Sequence, residues 1–171
     1  MVSFSLKRGV DLSESKIRMK KGGLGRVVVM RLGPGCDLKK SLEEIARSEN
    51  IRSGVILSGV GSLSQVTLRN VRLFPDEFPI MDRNRIYTPK KEPLELLSLS
   101  GNISKHEDEV HIHCHVTVSS GLDDGRAYGG HLIDGCLAFS TCEVIITEIT
   151  DLEMKRNIDP ETRVLELYLE P

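Results

Sequence analysis

From Asn50 onward the apolar residues recur with a period close to two, which confines most of the chain to strands. The runs 54–61, 65–74, 94–103, 110–119, 137–147 and 164–169 all read this way, separated by clusters of Gly, Pro, Asn and Asp. One helical stripe precedes them. Leu38, Leu42, Ile45 and Ala46 follow Asp37 at helical spacing, which predicts a helix over 37–48 capped by Asp37. Before it, Val27 to Met30 reads as a buried strand ended by Gly33-Pro34-Gly35. The connections after the helix are too short for repeated parallel crossovers. The expected fold class is therefore α+β, a mainly antiparallel central β-sheet with an α-helix packed on one face. The segment 74–93, with Pro75, Pro79, Pro89 and Pro93, reads as an irregular surface excursion.

Length bounds this to one domain: 171 residues with 39% hydrophobic and 28% charged residues can close a single core. No run approaches the roughly 18 apolar residues of a membrane span, and 1–8 lacks the apolar middle of a secretory signal. A cytoplasmic protein with no membrane partner is expected. The absence of Trp, with three Tyr and four Phe, leaves little aromatic surface for stacking bases. Cys36, Cys114, Cys136 and Cys142 form no Cys-x-x-Cys pair and read as reduced, mostly buried small hydrophobes. Gly33 and Gly35 suggest a dinucleotide loop, but Leu38 stands where a third glycine is required and no phosphate-loop lysine follows.

Chemistry concentrates in one strand. Over Val110-His111-Ile112-His113-Cys114-His115-Val116 the alternation is strict, so His111, His113 and His115 share one face and Ile112, Cys114 and Val116 the other. Same-face neighbours stand roughly 6.5–7 Å apart along a strand. Two adjacent imidazoles can meet one ion at about 2.0–2.1 Å, whereas the outer pair is too far apart to join them. A workable site is two adjacent histidines plus His131, arriving after the excursion through Gly121, Asp123, Asp124 and Gly125. Three neutral imidazoles suit zinc, or another divalent transition metal, and leave one coordination position open. A cupin would need a carboxylate shortly after the second histidine, and 116–120 supplies none. Glu95, in a leucine-rich strand, and Asp134 are candidate carboxylates around the metal or for acid/base work. The pair Gly129-Gly130 is expected to form the loop that aims His131.

Together, Gly25-Arg26-Val27-Val28, the stretch 54–62 (Gly-Val-Ile-Leu-Ser-Gly-Val-Gly-Ser), the stretch 94–101 (Leu-Glu-Leu-Leu-Ser-Leu-Ser-Gly), the His-x-His strand and Gly129-Gly130-His131-Leu132 resemble the PPC domain, conserved in plants and prokaryotes. The resemblance spans roughly 24–155 in consistent order. It implies an α+β domain assembled as a homotrimer, with a histidine metal site usually containing zinc and with a DNA-binding label on many members. Carried over residue by residue, His131 takes the Gly-Gly-His position, and His113 and His115 match the His-x-His pair. His111 is an additional histidine here, so His111 with His113 is the alternative pair.

Charge divides the chain unevenly. Residues 1–90 hold 17 Lys/Arg against 9 Asp/Glu, and 91–171 hold 6 against 16. The expected organisation is a basic N-terminal arm, 1–23, followed by one PPC-like domain over 24–171. The arm, with Lys16, Arg18, Lys20 and Lys21, is the candidate phosphate-contacting segment if DNA is a partner. No Arg-Gly-Arg-Pro hook and no helix-turn-helix pattern are present, and the pI of about 6.2 is unlike that of a DNA coat protein. Two functional classes follow: a metal-binding, zinc-type homotrimeric protein of undetermined reaction or regulatory role, or a DNA-binding or transcription-associated regulator that uses the basic arm and whose metal is structural.

Overall fold

The computed structural model describes residues 17–169. Its only α-helix among the described residues, α1 (Leu38–Ser48), begins where the sequence places it. The Asp37 carboxylate accepts from the Lys40 backbone N–H at 3.1 Å and from that of Gly135 at 2.6 Å, capping the helix and tying it to a distant loop. Leu38, Leu42 and Ala46 are fully buried, and the helix packs across two strands, β5 (Glu109–Ser120) and β7 (Leu137–Thr150).

The remaining strands are β1 (Gly23–Leu32), β2 (Gly54–Val71), β3 (Arg85–Lys90), β4 (Leu94–His106), β6 (Ala127–Leu132), β8 (Lys155–Ile158) and β9 (Leu165–Tyr168). Pairing is antiparallel throughout except for one parallel bridge, Lys105 with Lys155, between β4 and β8. This is the mostly-sheet, one-helix architecture expected. Two strands read separately from the sequence, 54–61 and 65–74, are one 18-residue strand. Register shifts between Ile56 and Ser58, Gly61 and Leu63, and Leu63 and Gln65 bend it without ending it. Gly61, at φ +147, allows this bend; a Cβ there would stand 2.2 Å from the Thr141 carbonyl oxygen.

The bend gives β2 different neighbours along its length. Its first half pairs with β4 and β7, and its second half with β3 and β6. Because β4 pairs with β5 and β5 with β6, the circuit β2–β4–β5–β6 closes on itself. The sheet thus curls around its longest strand, bringing residues near 69, 113 and 131 to one wall.

Two readings need correction. The segment 74–93 is not wholly irregular, because β3 forms within it as a partner of β2. Pro89 is compatible with this placement, since β3 pairs with β2 alone. Gly129 and Gly130 lie not in a loop but within β6. Their register partners on β5 are Thr117 and Val116. A Cβ on Gly130 would stand 2.8 Å from Asn70 Nδ2, the group that donates to the Gly129 carbonyl at 3.0 Å. Close approach of the β2 side chain, and not a turn, explains the glycine. Of the N-terminal arm, residues 1–16, including Lys16, lie outside the described part; Arg18, Lys20 and Lys21 are exposed. No described helix is long and apolar enough to cross a membrane.

Candidate metal centre

Strand alternation places the histidines as the sequence predicts. On β5, Ile112, Cys114, Val116 and Val118 are buried in the core, while His111, His113 and His115 project from the opposite face. His131 reaches them because β6 pairs with β5 in a register that sets His131 directly opposite His115. Directly opposed residues point to the same face. The ring centroids of His113, His115 and His131 lie 5.0–5.5 Å apart. One nitrogen from each ring falls within 4.8 Å of the other two. His111 stands outside this group of three but lines the same cavity.

Donor chemistry fits a transition metal. Burial holds His131 at a pKa of about 3 and His111 at about 4, with the Arg69 and Arg156 guanidinium groups respectively adding to the effect. Burial also lowers His113, reinforced by Arg156. His113 and His131 are therefore neutral near pH 7, the form that offers a ring nitrogen to a metal. The three ring nitrogens, all within 4.8 Å of one another, are close enough for one ion to be held by all three.

The sequence reading missed Arg156. It sits on β8, whose bridge to β4 brings it beneath the histidines, and it is only 2% exposed. Its Nε donates to Ser104 Oγ at 3.0 Å, and its Nη2 contacts Asn102 Oδ1 at 3.1 Å and His113 Nδ1 at 3.0 Å. Asn102 is the β4 register partner of His113, and Ser104 that of His111. A guanidinium can only donate. His113 Nδ1 is therefore the acceptor in this arrangement, and the proton of the neutral ring sits on Nε2.

The nominated carboxylates fare differently. Glu95 does not point inward: Leu94 and Leu96 take the buried phase, and Glu95 is exposed, away from the cavity. Asp134 does line the cavity, but its carboxylate is bound to Lys39 Nζ at 2.9 Å, which holds its pKa below the usual range. Asp123 accepts from Tyr128 Oη and pairs with Arg126 at 3.4 Å in the turn before β6. Cys114, Cys136 and Cys142 are buried, with thiols pushed up to about 12, 11 and 11, which makes them inert packing groups; Cys36 alone is exposed.

Comparison with known proteins agrees with the motif reading. Over 145 residues the chain is 40% identical to a bifunctional GlmU protein of Synechococcus sp. (strain JA-3-3Ab), covering 85% of this chain and 21% of that one. The chain therefore spans about a fifth of that relative's length. Among solved structures, a metal-containing protein from Archaeoglobus fulgidus superposes with a TM-score of 0.73 at 26% identity, covering 89% of this chain and 99% of the other. A protein from Ralstonia eutropha JMP134, whose description proposes DNA binding, superposes with a TM-score of 0.66 at 26% identity, covering 83% and 90%. The model of the Plants and Prokaryotes Conserved (PCC) domain matches residues 19–150. That match covers most of the chain and all three clustered histidines, and the protein belongs to the PCC domain family.

Proposed function

We propose that the protein binds one divalent transition metal per chain through His113, His115 and His131, with zinc the first choice by donor type. The observation that carries this reading is the convergence of three imidazole nitrogens within 4.8 Å from two adjacent strands. The A. fulgidus relative, described as metal-containing, supports it. Three protein ligands leave a coordination position for water or a substrate oxygen, which a bound metal polarises. That position would face a cavity of about 840 Å3, so an open site acting on a small molecule is favoured over a closed structural one. Elemental analysis of protein purified without chelators or affinity metals tests the proposal. About one metal per chain is expected, falling to a trace in His131→Ala. Substoichiometric metal indifferent to His131→Ala would refute it.

The homotrimer belongs to the same proposal. Its support is β1, which pairs with β7 alone and exposes Leu24, Val27 and Val29 along an edge. Light scattering is expected to give the mass of three chains; a monomer across the micromolar range would reject it. A second reading, DNA binding through the basic arm 1–23, draws on the description of the R. eutropha relative and on the exposure of Arg18, Lys20 and Lys21. It predicts an affinity that falls steeply with salt and with removal of 1–23. Absence of binding near physiological salt would reject it.

A further inference from the structure

The wall that carries the histidine triad continues into two arginines, Arg69 and Arg85, that form no ion pair. Arg69 is the β2 register partner of His131, so its side chain leaves the sheet on the histidine face. Across the next pairing Arg69 opposes Tyr87 and Val71 opposes Arg85, which places Arg85 on that face too. Both arginines line the same cavity as the triad, and both are partly buried. Among the described residues neither guanidinium makes a side-chain hydrogen bond or an ion pair within 4 Å. The nearby carboxylate, Asp82, accepts from Tyr87 Oη at 2.6 Å. Lys39 is occupied by Glu43 and Asp134. Counting the walls, Lys39, Arg69, Arg85 and Arg156 face two acids, Asp134 and Glu166.

The two guanidinium groups, partly removed from water, repel each other, and Asp82 offsets this only from beyond ion-pair distance; an anion placed between them removes that cost. Arginine is the side chain suited to the task, because its planar fork matches carboxylate and phosphoryl oxygens two at a time. Val71, Ile80 and Leu165 add apolar surface. At about 840 Å3 the space suits a metabolite-sized molecule and far exceeds a bare ion.

We propose that the cavity binds a small organic anion, with its carboxylate or phosphoryl group held by Arg69 and Arg85 and its body directed toward the histidine triad. This deepens the metal-site reading and rests on it for the role of the triad, but the arginine pair can be tested separately. Phenyl phosphate and benzoate serve as charged probes with an apolar body, benzyl alcohol as the neutral control, and inorganic phosphate as the probe without a body. Binding is measured by calorimetry on the full chain, with metal content determined in each sample. Millimolar or tighter binding of at least one charged aromatic probe is expected, with none of benzyl alcohol. Arg69→Gln and Arg85→Gln should each weaken binding at least tenfold while metal content stays at the wild-type level. Arg69→Lys, which keeps the charge, should fold normally and lose less. If the wild type carries no metal yet binds the probes through the arginines, the metal reading fails and the anion site stands. Absence of charged-probe binding at 10 mM, or binding unmoved by both glutamine variants, overturns the inference.

Discussion

Arg156 and a metal compete for His113, so Arg156→Met should tighten metal binding while weakening the fold. A neutral imidazole has one proton and one free lone pair. With Nδ1 accepting from Arg156 at 3.0 Å, Nε2 carries the proton and cannot ligate. Ligation through Nε2 would move the proton to Nδ1, where it meets an Arg156 N–H; ligation through Nδ1 would take the position that the guanidinium holds. Either way the contact is lost on loading. A hydrogen bond to a charged group is worth about 1.5–3 kcal/mol net, and by the relation of about 1.4 kcal/mol per decade its loss lowers metal affinity roughly 10- to 150-fold. Methionine keeps the apolar stem, removes the donor, and removes a positive charge from beside a cation site. The same change strips Asn102 Oδ1 and Ser104 Oγ of their buried partner. One or two such losses cost about 1–3 kcal/mol each, which for a chain of this size lowers Tm by several degrees. Competition titration against a chromophoric zinc chelator gives the affinity, and thermal denaturation of the metal-free protein gives the stability. The two readouts should move in opposite directions. Metal affinity that is unchanged or weaker in a folded Arg156→Met protein would refute the competition.

The metal-free protein should lose stability as pH falls from 7 to 5. His131 and His111 are held below the ordinary histidine value in the folded state, so the unfolded chain binds more protons across this window and acid favours it. A Tm that is flat or rises toward pH 5, or a slope unchanged in His131→Asn, would contradict this. Gly130→Ala should cost about 0.5–1.5 kcal/mol by displacing Asn70 from the Gly129 carbonyl. It should also weaken metal binding, since His131 is the next residue; chemical denaturation and the chelator titration check the two effects. Glu95→Gln should leave metal content and Tm unchanged, because the side chain is exposed and remote from the triad. Asp134→Asn should lower stability by under about 1 kcal/mol through loss of an exposed pair with Lys39, again with normal metal content.

What could be read from the chain alone was what repeats over a few residues. Leu38, Leu42 and Ala46 gave away α1 because a buried stripe must recur at helical spacing, and Asp37 marked its start. His111, His113 and His115 could be assigned to one face because strand alternation admits no other arrangement. His131 follows from the need for a third ligand and from motif order, whereas its place directly opposite His115 is a register between strands and leaves no local trace. The same reason explains why β6 and β3 went unread. Each is six residues long and becomes a strand through its partner, β5 in one case and β2 in the other. Glu95 was misplaced because its leucine-rich surroundings suggest burial without saying which phase of the strand faces the core.

Arg156 and the Arg69–Arg85 pair show where such reading runs out. Arg156 lies 43 residues from His113, beyond the segment matched by the family model, on a four-residue strand whose backbone register with β4 is the single Lys105–Lys155 pair. In sequence it is one cation in an acidic half, with nothing to separate it from a solvated surface group. Arg69 and Arg85 sit in the basic half, where lysines and arginines are common and none stands out. Their meaning comes from the bend in β2, which turns that strand away from β4 and into pairing with β3 and β6, so that two guanidinium groups arrive beside three imidazoles. The charge asymmetry of the sequence is therefore resolved at the site itself: cations from the basic half and histidines from the acidic half line one cavity. Neither half supplies the complete site: His131 comes from the acidic half, and its register partner Arg69 from the basic half.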